Sequence, residues 1–164
     1  MWHKFFSRIW RRLPKRVRRW GVVLLHPRFT VTAGAVVVDA QGRVLLLHHR
    51  FRAGSGWGIP GGFLSPRESP EEALRRELRE EVGLELDNVT IAFIHTLQAY
   101  QQIEIVFRCS PRNTPQICSA EISRAEWFAL DALPAEVSEY QRWLLHKALT
   151  PELHGASNPG EHET

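Results

Sequence analysis

A helix with both of its ends specified lies between Ser69 and Gly83, and it constrains the fold more than any other stretch of the chain. Ser69 is placed to cap the first turn, Pro70 takes the first helical position, and Glu72 completes a Ser-x-x-Glu capping box. Helix formers continue to Val82, where Gly83 supplies the left-handed stop. Leu74, Leu78 and Val82 recur every four residues and give this helix a face built for burial. Glu77, Glu80 and Glu81 stand at i, i+3 and i+4, which crowds three carboxylates onto one face.

The flanking segments read as strands. Thr30–Val38 and Val44–Leu47 are apolar runs separated by the turn residues Asp39-Ala40-Gln41-Gly42, a pattern that predicts a hairpin. A glycine-rich bend follows from Gly54 to Gly62. Beyond the capped helix, Val89–His95, Ile103–Cys109 and Glu126–Ala129 are further strand candidates, and a closing helix runs from about Ser138 to Leu149. Several strands with two helices predict an α+β protein, arranged as an α/β/α sandwich.

Charge divides the chain of 164 residues unevenly. Residues 1–28 hold nine Lys or Arg and no acid, whereas the remainder carries twelve positives against all eighteen acids, a net charge of −6. The expected organisation is therefore a basic arm over 1–28, a folded domain over 29–150 and a flexible tail over 151–164. In the arm, Trp2, Phe5, Phe6, Ile9, Trp10 and Leu13 trace one helical face with the basic residues opposite. Such a stripe needs cover, and residues 1–20 are expected to pack on the chain's own body, to supply a homodimer contact or to make a peripheral membrane contact. Nucleic acid is disfavoured, because the aromatics do not interleave with the positives as stacking platforms would. The longest early apolar run, Gly21–Leu25, is far below the ~18 residues of a membrane span. Two cysteines, Cys109 and Cys118, make no disulfide framework for a chain of this size, so a reducing, cytoplasmic location is expected.

The carboxylate face carries the chemistry. A solvated charged helix with Arg75, Arg76 and Arg79 as partners is its plain reading. Clustered carboxylates also suit a hard divalent ion such as Mg²⁺, which takes oxygen ligands and bridges to substrate phosphates. Gly58, Gly61 and Gly62, just upstream, allow backbone to lie close to a ligand.

Taken together, Gly62, Glu68 and the run Arg76-Glu77-Leu78-Arg79-Glu80-Glu81-Val82-Gly83-Leu84 match a Nudix box at every defined position, and Trp57-Gly58-Ile59-Pro60-Gly61-Gly62 is similar to the usual lead-in. The chain thus resembles a Nudix hydrolase from about Thr30 to Leu149. The resemblance implies a mixed sheet between helices with the box as loop–helix–loop. It implies hydrolysis of a nucleoside diphosphate linked to another moiety, with Mg²⁺ or Mn²⁺ as cofactor and a small nucleotide-type molecule as substrate. Carried onto this chain, Glu77, Glu80 and Glu81 match the metal-ligand carboxylates, and Gly61 matches the position whose carbonyl joins the metal shell. Glu68 and Arg76 match the pair that braces loop to helix. Glu121, five residues before Glu126-Trp127, has the spacing of an extra metal-binding or base-like glutamate. Glu77, Glu80 and Glu121 are the candidate bases.

Substrate contacts are sought in His48, His49, Arg50 and Arg52 as phosphate partners, and in Phe51 and Trp57 as stacking surfaces. Tyr100, sixteen residues after Leu84, loosely resembles a tyrosine found in dinucleoside-polyphosphate members. Against the hydrolase stand two other readings: a catalytically inactive nucleotide-binding Nudix domain, and an RNA-directed protein. The intact Glu77-x-x-Glu80-Glu81 argues against the first.

Overall fold

The computed structural model describes Pro14, residues 27–51 and residues 54–150. Nearly all of the basic arm, Arg52 and the tail after Thr150 lie outside the described residues. The chain order is β1 (Thr30–Val37), β2 (Val44–His49), β3 (Trp57–Gly58), β4 (Gly61–Phe63), α1 (Pro70–Val82), β5 (Leu86–Leu97), β6 (Gln102–Pro111), β7 (Ile122–Phe128) and α2 (Glu139–Leu149). A short 3₁₀ turn, Gln98–Tyr100, joins β5 to β6.

The α1 signals act as written. The Glu72 N–H donates to Ser69 Oγ while Glu72 Oε2 accepts the Ser69 N–H at 2.8 Å, closing the capping box. Gly83 is left-handed, and its N–H returns to the Arg79 carbonyl at 3.0 Å. Ala73, Leu74, Leu78 and Val82 are buried. Full burial of each larger side chain contributes about 1.5–3 kcal/mol, more than the caps provide.

Two sheets form the middle of the molecule. One has the order β4-β1-β6-β5, with β1 parallel to β6 and the other pairs antiparallel; the second has the order β3-β2-β7. Strand alternation on β1 and β6 separates two cores. Ala33, Ala35, Val37, Phe107 and Cys109 face α1, whereas Val36 and Val106 pack with Leu144, Leu145 and Ala148 of α2. The result is a mixed α+β sandwich with a helix on each side.

The predicted β1–β2 hairpin is corrected. Its turn is present, with Asp39 Oδ1 accepting the N–H groups of Gln41 and Arg43 at 2.9 and 2.8 Å. Past a single Val38–Val44 bridge, however, the strands part and join different sheets. Both strands are almost continuously apolar and deeply buried, so each needs neighbours on both edges and cover on both faces. A continuous apolar run does not encode which strand lies beside it. Among the described residues both cysteines are free, Cys109 buried and Cys118 exposed, and no helix is long and apolar enough to cross a membrane.

Candidate functional site

Gly61 and Gly62 stand where strand, pocket and helix meet. β4 pairs along the edge of β1, with Gly61 opposite Gly34 and Gly62 opposite Ala33. A Cβ on Gly62 would overlap the carboxylate of Glu77, so that carboxylate lies directly on the strand backbone. Only glycine leaves room for this approach. On the other face of the same strand a cavity of about 180 Å³ opens, lined by both glycines, Ile59, Gln102, Glu104 and Gln141 among others.

Arg76 organises the loop between β4 and α1. Its Nε and Nη2 hold Glu68 Oε1 and Oε2 at 2.8 and 3.0 Å, a bidentate pair, while Nη2 also reaches the Phe63 carbonyl at 3.2 Å. Glu68 Oε2 accepts the Ser65 N–H at 3.0 Å, so one carboxylate ties loop to helix. Nη1 then lies between the other two acids, 2.9 Å from Glu77 Oε1 and 3.3 Å from Glu80 Oε2. The guanidinium hydrogen bond, followed by the Ser65 N–H, holds the Glu68 carboxyl below its ordinary value near 4.5.

Glu80 projects to solvent with its side chain 62% exposed. Glu81 is half-buried, and its carbonyl accepts the N–H groups of Cys118 and Ser119 at 2.9 and 3.3 Å. That contact draws the 116–121 loop to the end of α1. Glu121 belongs to this loop and is exposed; its carbonyl accepts the Arg50 N–H at 2.8 Å. Arg50 and Glu121 therefore meet where β2 ends and β7 begins.

The donors for a hard divalent ion are of the right chemistry: carboxylate oxygens on one helix face beside a glycine backbone. They are not gathered into a closed cage. Among the described residues no group of three or more His, Cys, Asp or Glu is drawn together for a metal, and Arg76 Nη1 holds the place between Glu77 and Glu80.

Three sequence candidates are placed elsewhere. Trp57 is only 7% exposed and packs edge-to-face on His48 and Phe128, so as a core residue it offers no open face for stacking. His48 Nδ1 is engaged with Ser123 Oγ at 2.7 Å, and Ser123 donates to the His48 carbonyl. Tyr100 is exposed on the 3₁₀ turn and outside the cavity wall. Arg52 is outside the described residues.

Sequence reasoning passed over Glu104, Gln102, Gln141 and the exposed Phe63, all on the cavity wall. A signal existed for Glu104. Period-two alternation places it on the same strand face as Val106, an acid where burial was expected.

Acid should weaken this arrangement. Glu68, Glu72, Glu85 and Asp87 all titrate below their ordinary values, because Arg76, Ser69, Arg79 and Arg112 respectively donate to them. A lowered folded-state value means stability that is full above the ordinary carboxylate range and lost as pH falls through the folded value. Melting temperature should therefore decline below about pH 4.5, less steeply in Glu68→Gln. Parallel profiles for the two proteins would show that the Glu68 brace carries none of this stability.

Comparison with known proteins finds likenesses of three kinds. The NUDIX domain family model matches residues 28–153. A MutT-like protein of Streptomyces ambofaciens is 33% identical over 144 residues, covering 83% of this chain and 88% of that one. An RNA pyrophosphohydrolase of Pseudomonas putida (strain GB-1) is 30% identical over 127 residues, or 77% and 74% of the two chains. In structure, a MutT NUDIX hydrolase from Burkholderia pseudomallei superposes with a TM-score of 0.65 at 29% identity, over 74% of this chain and 98% of that one.

Proposed function

The chain belongs to the NUDIX family of pyrophosphohydrolases, and from that premise we propose that it is a cytoplasmic, divalent-metal-dependent hydrolase cleaving the pyrophosphate linkage of a nucleotide or nucleotide derivative. The observation that carries the proposal is the Glu77 carboxylate seated on the Gly62 backbone, at the strand that also walls the cavity. Gly61 and Gly62 line the cavity, and Gly62 also receives Glu77 of the acidic face. Glu77, Glu80 and Glu81, with the Gly61 carbonyl, are the residues that would hold Mg²⁺ or Mn²⁺. Such an ion supplies neutralising charge at the phosphate oxygens and acidifies the attacking water.

The protein's own groups do the rest. Glu77, Glu80 or Glu121 takes the proton of that water as it attacks phosphorus. Arg50, whose backbone N–H meets the Glu121 carbonyl, is the cation assigned to the phosphates. Arg76 holds the loop of Gly61–Glu68 against α1 and supplies countercharge to Glu77 and Glu80, which would otherwise repel at this spacing. Catalysis is assigned to residues 29–150, and the basic arm to contact with a second copy or a membrane surface.

The test is a panel of nucleoside triphosphates, dinucleoside polyphosphates and nucleotide sugars, scored for phosphate or pyrophosphate release with Mg²⁺ or Mn²⁺. Hydrolysis of at least one substrate should vanish with a chelator and return on adding metal, and a chain beginning at Arg28 should retain its kcat. Turnover that persists in the chelator overturns the metal assignment. No turnover on any member overturns the hydrolase reading.

A further inference from the structure

The register of the four-stranded sheet gathers three segments at one of its ends. β1 enters there, with the Thr30 N–H donating to the Gln101 carbonyl at 3.0 Å and Thr30 opposite Gln102. β5 leaves and β6 begins there, with Leu97 opposite Gln102 and the 3₁₀ turn between them. β4 ends there too, with Phe63 opposite Thr32 and the Leu64 N–H on the Val31 carbonyl at 3.0 Å. Residues 27–31, 63–67 and 97–102 thus share one surface. The basic arm joins the domain inside it, because β1 lies between β4 and β6.

This surface is unusual in two ways. Phe29, Phe63 and Tyr100 are 42%, 60% and 72% exposed. Single exposed apolar residues are ordinary, but three aromatics at one end of a sheet mark a surface that meets something. The three segments also contain Arg28 and Arg67, both exposed, and no Asp or Glu. The acids beside them are turned to partners of their own: Glu68 to Arg76 at 2.8 Å, and Glu104 to His95 and the Tyr140 hydroxyl.

Charge decides the occupant. Residues 1–28 carry nine positives and no acid, whereas 29–150 hold fifteen acids against twelve positives, a net charge of −3. The folded domain, its own or that of a second copy, therefore answers a third of the arm's charge. Two copies meeting through this end would also set arm against arm, which repels. A bilayer with anionic lipid has neither limit. Each Lys or Arg near such a surface raises affinity about fivefold. Aromatic rings settle at headgroup level, where their apolar bodies are covered and their polar edges stay wet. In the arm, Trp2, Phe5, Phe6, Ile9, Trp10 and Leu13 opposite the basic residues have the sequence pattern of a helix lying in that interface.

We propose that this end of the sheet is a membrane-docking surface: the arm lies in the headgroup plane of an anionic bilayer, and Phe29, Phe63, Tyr100, Arg28 and Arg67 of the domain rest against the same plane. Asp87, opposite Ser110 at the far end of the sheet, is then turned to water. The inference commits the arm to a bilayer in place of a second copy, and it does not depend on the hydrolytic reading. The domain surface adds a second contact beside the point where the arm is tethered, which strengthens binding by raising effective concentration.

The experiment sediments the full chain with vesicles of phosphatidylcholine alone or of phosphatidylcholine with phosphatidylglycerol, beside light scattering for oligomeric state and a shift assay with single-stranded RNA. The wild type should partition onto the anionic vesicles and not the neutral ones, less so as salt shortens the Debye length below about 10 Å. Phe29→Ser with Tyr100→Ser should weaken the partition about tenfold, and Arg28→Gln with Arg67→Gln about 25-fold. All four side chains are exposed, so both double variants should melt with the wild type. Arg108→Gln is the control. Arg108 is exposed on β6, about 20 Å along the strand from Gln102, and its loss should change the partition by less than about twofold. No binding to anionic vesicles overturns the proposal, whether the chain then proves to be a dimer or to bind RNA. Binding that both double variants leave intact, or that Arg108→Gln weakens as much as they do, overturns the docking surface. Sedimentation is read without turnover, so none of these outcomes touches the hydrolase reading.

Discussion

Glu80→Gln is expected to lower kcat by about 10²–10³-fold while moving the melting temperature by no more than about 2 °C. The two halves of this expectation come from different observations. Glu80 is mostly exposed, and among the described residues its one side-chain hydrogen bond is with Arg76 Nη1 at 3.3 Å, so its removal costs the fold little. Its charge nevertheless stands on the acidic face with Glu77 and Glu81, where an amide keeps the shape and discards the anion a hard cation needs. Glu77→Gln should lose as much activity and somewhat more stability, because its carboxylate is also the 2.9 Å partner of Arg76 and the contact on Gly62. Steady-state hydrolysis with a metal titration, beside circular dichroism, separates the effects. Wild-type rates for Glu80→Gln at saturating Mg²⁺ would take Glu80 out of the metal shell.

Gly61→Ala should damage both fold and function. Gly61 has φ +146°, where an L side chain is strained, and a Cβ there would overlap the Ala33 carbonyl oxygen and stand 2.8 Å from Gly34 Cα. Both neighbours are backbone of β1 and have nowhere to go. The substitution must pry β4 away from β1, which carries Gly62 off Glu77 and opens the cavity wall. A loss of about 3 kcal/mol, or roughly 8 °C or more in melting temperature, is expected. Activity per folded molecule should fall as well. A stable, fully active Gly61→Ala protein would mean that the β1–β4 pairing does not position the site.

The reach of the sequence can be judged from particular elements. α1 was legible to the residue, because its boundaries depend on local chemistry: a Ser hydroxyl, a proline ring, a glycine with positive φ. The Glu68–Arg76 brace followed from the Nudix resemblance alone, since nothing local in the sequence pairs a loop acid with a helix base eight residues on. The parting of β1 and β2 was illegible because sheet partnership is decided by burial across the whole domain, not by the turn that joins two strands. Trp57 misled for the same reason, since an aromatic in a glycine-rich bend looks available until Phe128 and His48 close around it. His95 and Glu104 meet across the β5–β6 ladder, but Tyr140 lies 45 and 36 residues from them, and only the seat of α2 brings it there.

The parallel pairing of β1 with β6 also sets an order of assembly. β4 follows β1 by about thirty residues, and α1 completes itself locally, so these can associate as soon as the chain has reached Val82. The other edge of β1 waits for Gln102–Pro111, since Thr30 pairs with Gln102 across a loop of about seventy residues. Non-local parallel pairing of this kind is slow, on the millisecond-to-second scale of β-rich domains. Until it forms, the apolar strand Thr32–Val37 has one edge open to any other unpaired strand, including that of another nascent chain. A chain released before Pro111 would carry the whole acidic helix and still expose the strand on which its site is built.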